Sequence, residues 1–205
     1  MEYTSSVLEN AVSEMAKLPG VGRRTALRFA LHILKQDELY ATSLAQSILK
    51  LRTEIRYCRE CNNLSDTDYC TICSDSMRNH SVICVVENIR DVMAIEATGQ
   101  YRGVYHVLGG VISPINGVGV NDIKISDLVK RVKENDVEEI ILALPTTMEG
   151  DTTSFYINRL LEDTRVKISA IARGVAIGDN IEYADEQTLG RSIVNRQPFQ
   201  DIYKR

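Results

Sequence analysis

Apolar residues recur at helical spacing through the first quarter of the chain. Val7, Leu8, Ala11, Val12, Met15 and Leu18 fall three or four apart and predict an amphipathic helix that Pro19-Gly20 stops. A second helix carries Ala26, Leu27, Ala30, Leu31, Ile33 and Leu34. A third is expected over 38–56, with Leu44, Ala45, Ile48, Leu49 and Ile55 facing inward. A polar stretch follows, too poor in apolar residues to form a core. From Ser81 the period changes. The run 82–86 is wholly apolar, as a parallel strand covered on both faces requires. Further strands are predicted at 103–108, 139–144 and 167–172, and helices at 89–98, 126–135 and 152–163. The Gly-rich segment 109–123 reads as a loop. Strands alternating with helices imply a parallel sheet with right-handed crossovers.

Composition narrows the class. The chain has 205 residues, of which 44% are apolar and 25% charged, ordinary values for a globular protein. It has no run of about 18 apolar residues, as a membrane span would need. The start MEYTSSVLEN lacks the basic and apolar parts of a signal peptide, so a cytoplasmic location is expected. Net charge is −4, which alone argues against a polyanion as partner. Its distribution changes that picture. Residues 1–57 hold eight basic and six acidic side chains, whereas 81–170 hold nine and thirteen. A polyanion is therefore expected to meet the N-terminal segment.

Four cysteines lie in the polar stretch as Cys58-x2-Cys61-x8-Cys70-x2-Cys73. Each C-x-x-C turn aims two thiolates at one point, and four sulfurs complete the tetrahedron that zinc accepts. With no position left for water, the expected site is one structural zinc ion. A redox reading would need a thioredoxin-like unit, and none is near. Cys84 sits among valines and reads as a small buried hydrophobe.

The sequence Leu18-Pro19-Gly20-Val21-Gly22-Arg23-Arg24-Thr25-Ala26 joins the first two helices. Glycines let a backbone approach a ligand closely, and the start of the next helix presents amide N–H groups to an anion. Arg24 and Arg28, four apart, share one face of that helix. Gly20, Gly22, Arg24 and Arg28, with Arg23 a weaker third cation, form a candidate cradle for DNA phosphates. The arrangement resembles the helix-hairpin-helix motif, which grips DNA backbones without reading bases.

Glu87 ends the first apolar strand, where open α/β sheets place functional groups. The strand near 140–144 is followed by Pro145-Thr146-Thr147-Met148-Glu149-Gly150-Asp151. The layout resembles a Toprim domain, whose catalytic members hold magnesium with a glutamate and an Asp-x-Asp pair. Glu87 and Glu149-Gly150 match, but Pro145 and Thr147 occupy the aspartate positions. The expectation is a domain without enzymatic activity, in which Glu87 and Glu149 serve the fold or a protein partner. The alternative is a magnesium-dependent nuclease or primase built on Glu87, Glu149 and Asp151.

This order of parts resembles the RecR family of bacterial recombination mediators along essentially the whole chain. The stretch from Ile171 to Leu189, with Arg173-Gly174 and Ile181-Glu182-Tyr183-Ala184-Asp185, is similar to that family's final motif, although Ala176 stands where proline is usual. The resemblance implies an α+β protein in four parts: a helical helix-hairpin-helix segment (1–57), a four-cysteine zinc finger (58–80), a Toprim domain (81–176) and a Walker-B-like C-terminal segment (177–205). No phosphate-binding Gly-Lys loop accompanies that last segment, so 181–185 is read as a strand and turn rather than a nucleotide site. The resemblance also implies a homo-oligomeric ring or clamp on gapped, single- or double-stranded DNA, without sequence preference. With RecO and RecF, it would load recombinase onto gapped DNA coated by single-strand-binding protein. The zinc finger, lying between basic helices and an acidic domain, would fix their hinge.

Overall fold

The computed structural model describes residues 4–198. Residues 1–3 and 199–205, the outer ends of the expected first and last segments, lie outside the described residues. The chain divides into two compact units, the first ending at Ile55 and the second beginning at Arg56.

The first unit holds α1 (Ser6–Met15), α2 (Arg23–Leu34) and α3 (Glu38–Thr53). Ser5 caps α1 by accepting from the Leu8 amide, and Asp37 caps α3 by accepting from the Tyr40 amide at 2.7 Å. Ala26 and Ala30 lie one turn apart on α2, and their small side chains let α1 come close over Val12. Leu8, Met15, Val21 and Leu27 flank this seam. The sequence expectation for α3 fails here. None of its residues is buried, and Leu44, Ile48 and Leu49 are exposed rather than inward-facing. An apolar face shows that a surface favours cover without saying what covers it. The helix also ends at Thr53, because Arg56 and Tyr57 are drawn into a strand.

The second unit starts with a two-residue antiparallel ladder, β1 (Arg56–Tyr57) against β2 (Leu64–Ser65). Then come β3 (Asn79–Val86), α4 (Ile89–Ala97), β4 (Gly103–Val107), α5 (Ile125–Glu134), β5 (Glu139–Ala143), α6 (Met148–Leu160), β6 (Lys167–Ala170) and α7 (Glu186–Val194). The four longer strands form a parallel sheet in the order β4-β3-β5-β6. Ile83 and Val85 pack on one face with Leu128 of α5 and Ile157 of α6, while Cys84 and Val86 pack on the other with Val92 of α4. Cover on both faces is why β3 carries no polar alternation. The fold is thus α+β, with seven α-helices among the described residues.

Three local expectations are corrected. Helix α6 begins at Met148, four residues ahead of the expected 152, because the Thr147 hydroxyl caps it by accepting from the Gly150 amide at 3.2 Å. Strand β6 stops at Ala170, two residues early. The stretch 181–185 is not a strand: Ile181–Tyr183 makes one 3-10 turn, and Asp185 then caps α7 by accepting from the Thr188 amide. The 109–123 segment is a loop as expected. It is closed by a Ser113–Val118 bridge and pinned to α6 by the Ile112 amide, which donates to the buried Thr153 hydroxyl at 2.8 Å.

Strand β4 lies at an edge of the sheet, and several of its outer backbone groups are occupied by groups from other elements. Arg78 donates to the Gly103 carbonyl at 3.2 Å, and Arg131 to that of Tyr105 at 2.7 Å. The Val107 amide donates to the Cys61 carbonyl at 2.8 Å, and the Asn62 side chain donates to the Val107 carbonyl at 3.0 Å. Among the described residues, no helix is long and apolar enough to cross a membrane.

Candidate functional site

The cysteine cluster is built from two tight turns. In the first, the Cys58 amide donates to the Asn63 carbonyl and the Asn62 amide donates back to that of Cys58. Asn62 takes a φ of +61°, left-handed backbone that asparagine tolerates. The second turn closes with the Ser74 amide donating to the Cys70 carbonyl at 3.0 Å. Together they bring Cys58, Cys61, Cys70 and Cys73 into one buried group, with all four sulfurs within 4.8 Å of one another. The Cys61–Cys70 sulfur separation is 3.5 Å. Zinc–sulfur bonds of about 2.3 Å in a tetrahedron set sulfurs about 3.8 Å apart, so the donor set fits such an ion.

The electrostatics agree. Hydrogen bonds from the Cys61 and Cys73 thiols stabilise the Cys70 thiolate and lower its pKa, and the same bonds, aided by burial, hold Cys61 and Cys73 protonated. Without a cation these three close sulfurs do not all ionise together. A divalent ion coordinated by all four sulfurs stabilises each as a thiolate, leaving a net charge of −2 on the site. Cys84 stands apart in the sheet core, its thiol pushed up to about 12 by burial. It is a packing residue.

The zinc turn is docked on the parallel sheet. Besides the two bonds to the Val107 backbone, Glu60 accepts from the Arg131 guanidinium at 2.6 Å, and Ile72 packs against the cysteines and both sheet faces. Glu60, Asn62 and Arg131 went unread in the sequence, where Glu60 and Arg131 are 71 positions apart with no local pattern linking them.

In the first unit, the loop between α1 and α2 has Gly20 at φ +76°. Gly22 stands at the N-cap of α2 with no side-chain cap, so the first amides of α2 are left free of a side-chain acceptor. No acidic residue lies in that first turn. Arg23 and Arg24 lie there instead, where the helix dipole disfavours positive charge. Helix stability therefore does not explain them. Arg23, Arg24 and Arg28 are exposed, and none forms a salt bridge among the described residues. The Arg28 guanidinium lies 5.8 Å from the Phe29 ring centre.

The acidic residues of the α/β part do not converge. Glu87 follows β3 and accepts the Gly109 amide on its backbone carbonyl. Glu149 and Asp151 lie in the first turn of α6, where the helix N-terminus favours them. Asp151 accepts from Arg173 at 2.6 Å, and that bond, with the charge of Arg191, holds its carboxyl below the usual range. Among the described residues the only cluster of three or more His, Cys, Asp or Glu side chains suited to a metal is the cysteine group. Thr147, at one aspartate position, uses its hydroxyl as the α6 cap. Pro145 and Gly150 are in such close contact that a Cβ at Gly150 would overlap the Pro145 carbonyl.

A parallel-sheet α/β domain with a docked four-cysteine zinc finger, in a chain that starts with a helical hairpin, defines a class of zinc-bearing Toprim proteins. The sequence matches a Toprim domain over residues 81–172, the RecR helix-hairpin-helix over 8–51, the RecR zinc finger with four cysteines over 55–75 and the RecR C-terminal region over 174–197. It is 60% identical over 198 residues to the recombination protein RecR of Bacteroides thetaiotaomicron, covering 97% of each chain. It is 57% identical over 204 residues to that of Flavobacterium johnsoniae, covering 100% of this chain and 99% of the relative. The chain belongs to the RecR family of recombination proteins, and its metal is the zinc of that family's finger.

Proposed function

We propose that this protein is a non-enzymatic, cytoplasmic DNA-binding mediator of recombinational repair. It acts with RecO and RecF to load recombinase onto gapped DNA coated by single-strand-binding protein. The observation that carries the DNA contact is the uncapped N-terminus of α2 at Gly22, set beside Arg23, Arg24 and Arg28. Gly20 shapes the turn. These groups recognise phosphate and no base, so binding is sequence-independent. One such hairpin is a weak anchor, and a homo-oligomeric ring of several would raise the effective affinity. The exposed apolar face of α3 supports assembly. The absence of enzymatic activity rests on Pro145 and Thr147 at the aspartate positions and on Asp151 being engaged by Arg173. Glu87 and Glu149 then serve the fold or a protein partner.

Binding to gapped, duplex and single-stranded DNA, measured by fluorescence anisotropy across salt concentrations, tests the contact. The Arg24→Ala/Arg28→Ala variant is expected to bind more weakly to all three and to lower the salt slope by up to about 2. Equal binding by variant and parent at moderate salt would refute the assignment. Light scattering with and without DNA tests the ring, and a strict monomer in both would remove it. DNA cleavage or synthesis with magnesium, abolished by Glu87→Gln, would overturn the non-enzymatic reading.

A further inference from the structure

We propose that α2 carries a track for single-stranded DNA that continues from the hairpin to Lys35, a reading that rests on the DNA contact proposed above. A groove of about 650 Å³ runs along this helix, lined by Arg24, Thr25, Leu27, Arg28, Leu31, His32 and Lys35. At 100° and 1.5 Å per residue, Arg24, Arg28, His32 and Lys35 fall within an arc of about 80° and span about 16 Å. Leu27 and Leu31 adjoin that row on one side. The groove therefore has a cationic row, Arg24, Arg28 and Lys35, beside an apolar one. A single strand has the matching character, with phosphates along one edge and unpaired base faces along the other. A duplex hides its base faces in the stack, so it would use the cationic row alone.

Two further features define the far end. His32 lines the groove, and the ring of Tyr40, from α3, meets it at 84° with centres 6.1 Å apart, bracing an aromatic surface on which a base can stack. Beyond Lys35 the chain turns acidic at Asp37 and Glu38, and their charge ends the favourable path for phosphate. The groove residues Arg28, Leu31, His32 and Lys35 are all exposed.

The test uses the full chain with a fluorescein-labelled oligothymidylate and a duplex of equal length, titrated at several salt concentrations. Lys35→Ala is expected to lower the single-strand salt slope by about 0.7, one phosphate contact. His32→Ala is expected to weaken single-strand binding roughly tenfold, the loss of one stacked base, and to leave duplex binding as in the parent chain. Arg24→Ala serves as the hairpin control and should weaken both. If Arg24→Ala weakens binding but Lys35→Ala and His32→Ala leave the single strand unaffected, the track is wrong and the hairpin contact stands. Equal losses on single strand and duplex in His32→Ala would also refute the track. If Arg24→Ala has no effect either, the hairpin reading fails with it.

Discussion

Truncating Glu60 to alanine would isolate the bond that ties the zinc turn to the sheet. Its partner Arg131 keeps only 7% of its side chain exposed and holds two acceptors, the Glu60 carboxylate and the Tyr105 carbonyl. Removing Glu60 leaves a buried guanidinium with one neutral acceptor. Breaking a fully buried pair costs about 3–5 kcal/mol. The Glu60 side chain is 32% exposed, so water reaches part of the vacated site and the expected cost falls to about 2 kcal/mol. Glu60→Gln keeps an acceptor and should lose about half as much. Urea unfolding at fixed protein concentration measures the change. Zinc transfer to a chromophoric chelator, followed in parallel, should quicken in Glu60→Ala. A stability change below about 0.5 kcal/mol with an unchanged transfer rate would show the pair to be solvent-screened, and the reasoning would fail.

Three other perturbations follow from the same structure. Burial holds His106 neutral, with its pKa down at about 4, its Nε2 donating to the Lys124 carbonyl and its Nδ1 unpartnered. The unfolded chain takes up that proton first as pH falls below about 6.5, so stability is full above that pH and drops by about 3 kcal/mol on the way to pH 4. His106→Gln should flatten that part of the stability–pH curve, and an unchanged slope would contradict the assignment. Gly150→Ala drives a Cβ into the Pro145 carbonyl and should cost about 3 kcal/mol or more, read from thermal unfolding; a parent-like midpoint would show that the turn can shift freely. Stripping zinc should loosen the fold and the assembly before it affects DNA binding. An intact oligomer and full helical content alongside lost DNA binding would argue against a scaffold role.

The sequence was most legible where chemistry is local. The wholly apolar 82–86 run could only be a strand covered twice, and the cysteine spacing announced its own geometry. The expected start of α6 at 152 lies four residues late, because the Thr147 hydroxyl caps the helix ahead of its carboxylates. Helix α7 was missed although Asp185, Leu189 and Ile193 supply a cap and an i, i+4 apolar pair. The α3 face was legible as apolar and not as exposed, since periodicity is a property of one helix and burial belongs to whatever meets it. Bonds such as Glu60–Arg131 and Asp151–Arg173 join residues distant in sequence, and only the topology brings them together.

The outer edge of β4 gives the zinc turn a second consequence. A bare edge strand offers a row of unpaired amides and carbonyls to any other strand it meets. Here Arg78, Arg131, Asn62 and the Cys61 carbonyl occupy that row, and the last two are held in place by the folded metal turn. Metal loss therefore frees the Val107 end of the edge for pairing between chains. In a metal-starved cell the first casualty would be solubility, through strand-to-strand aggregation. The zinc turn acts as a guard against self-templating as well as a brace for the fold.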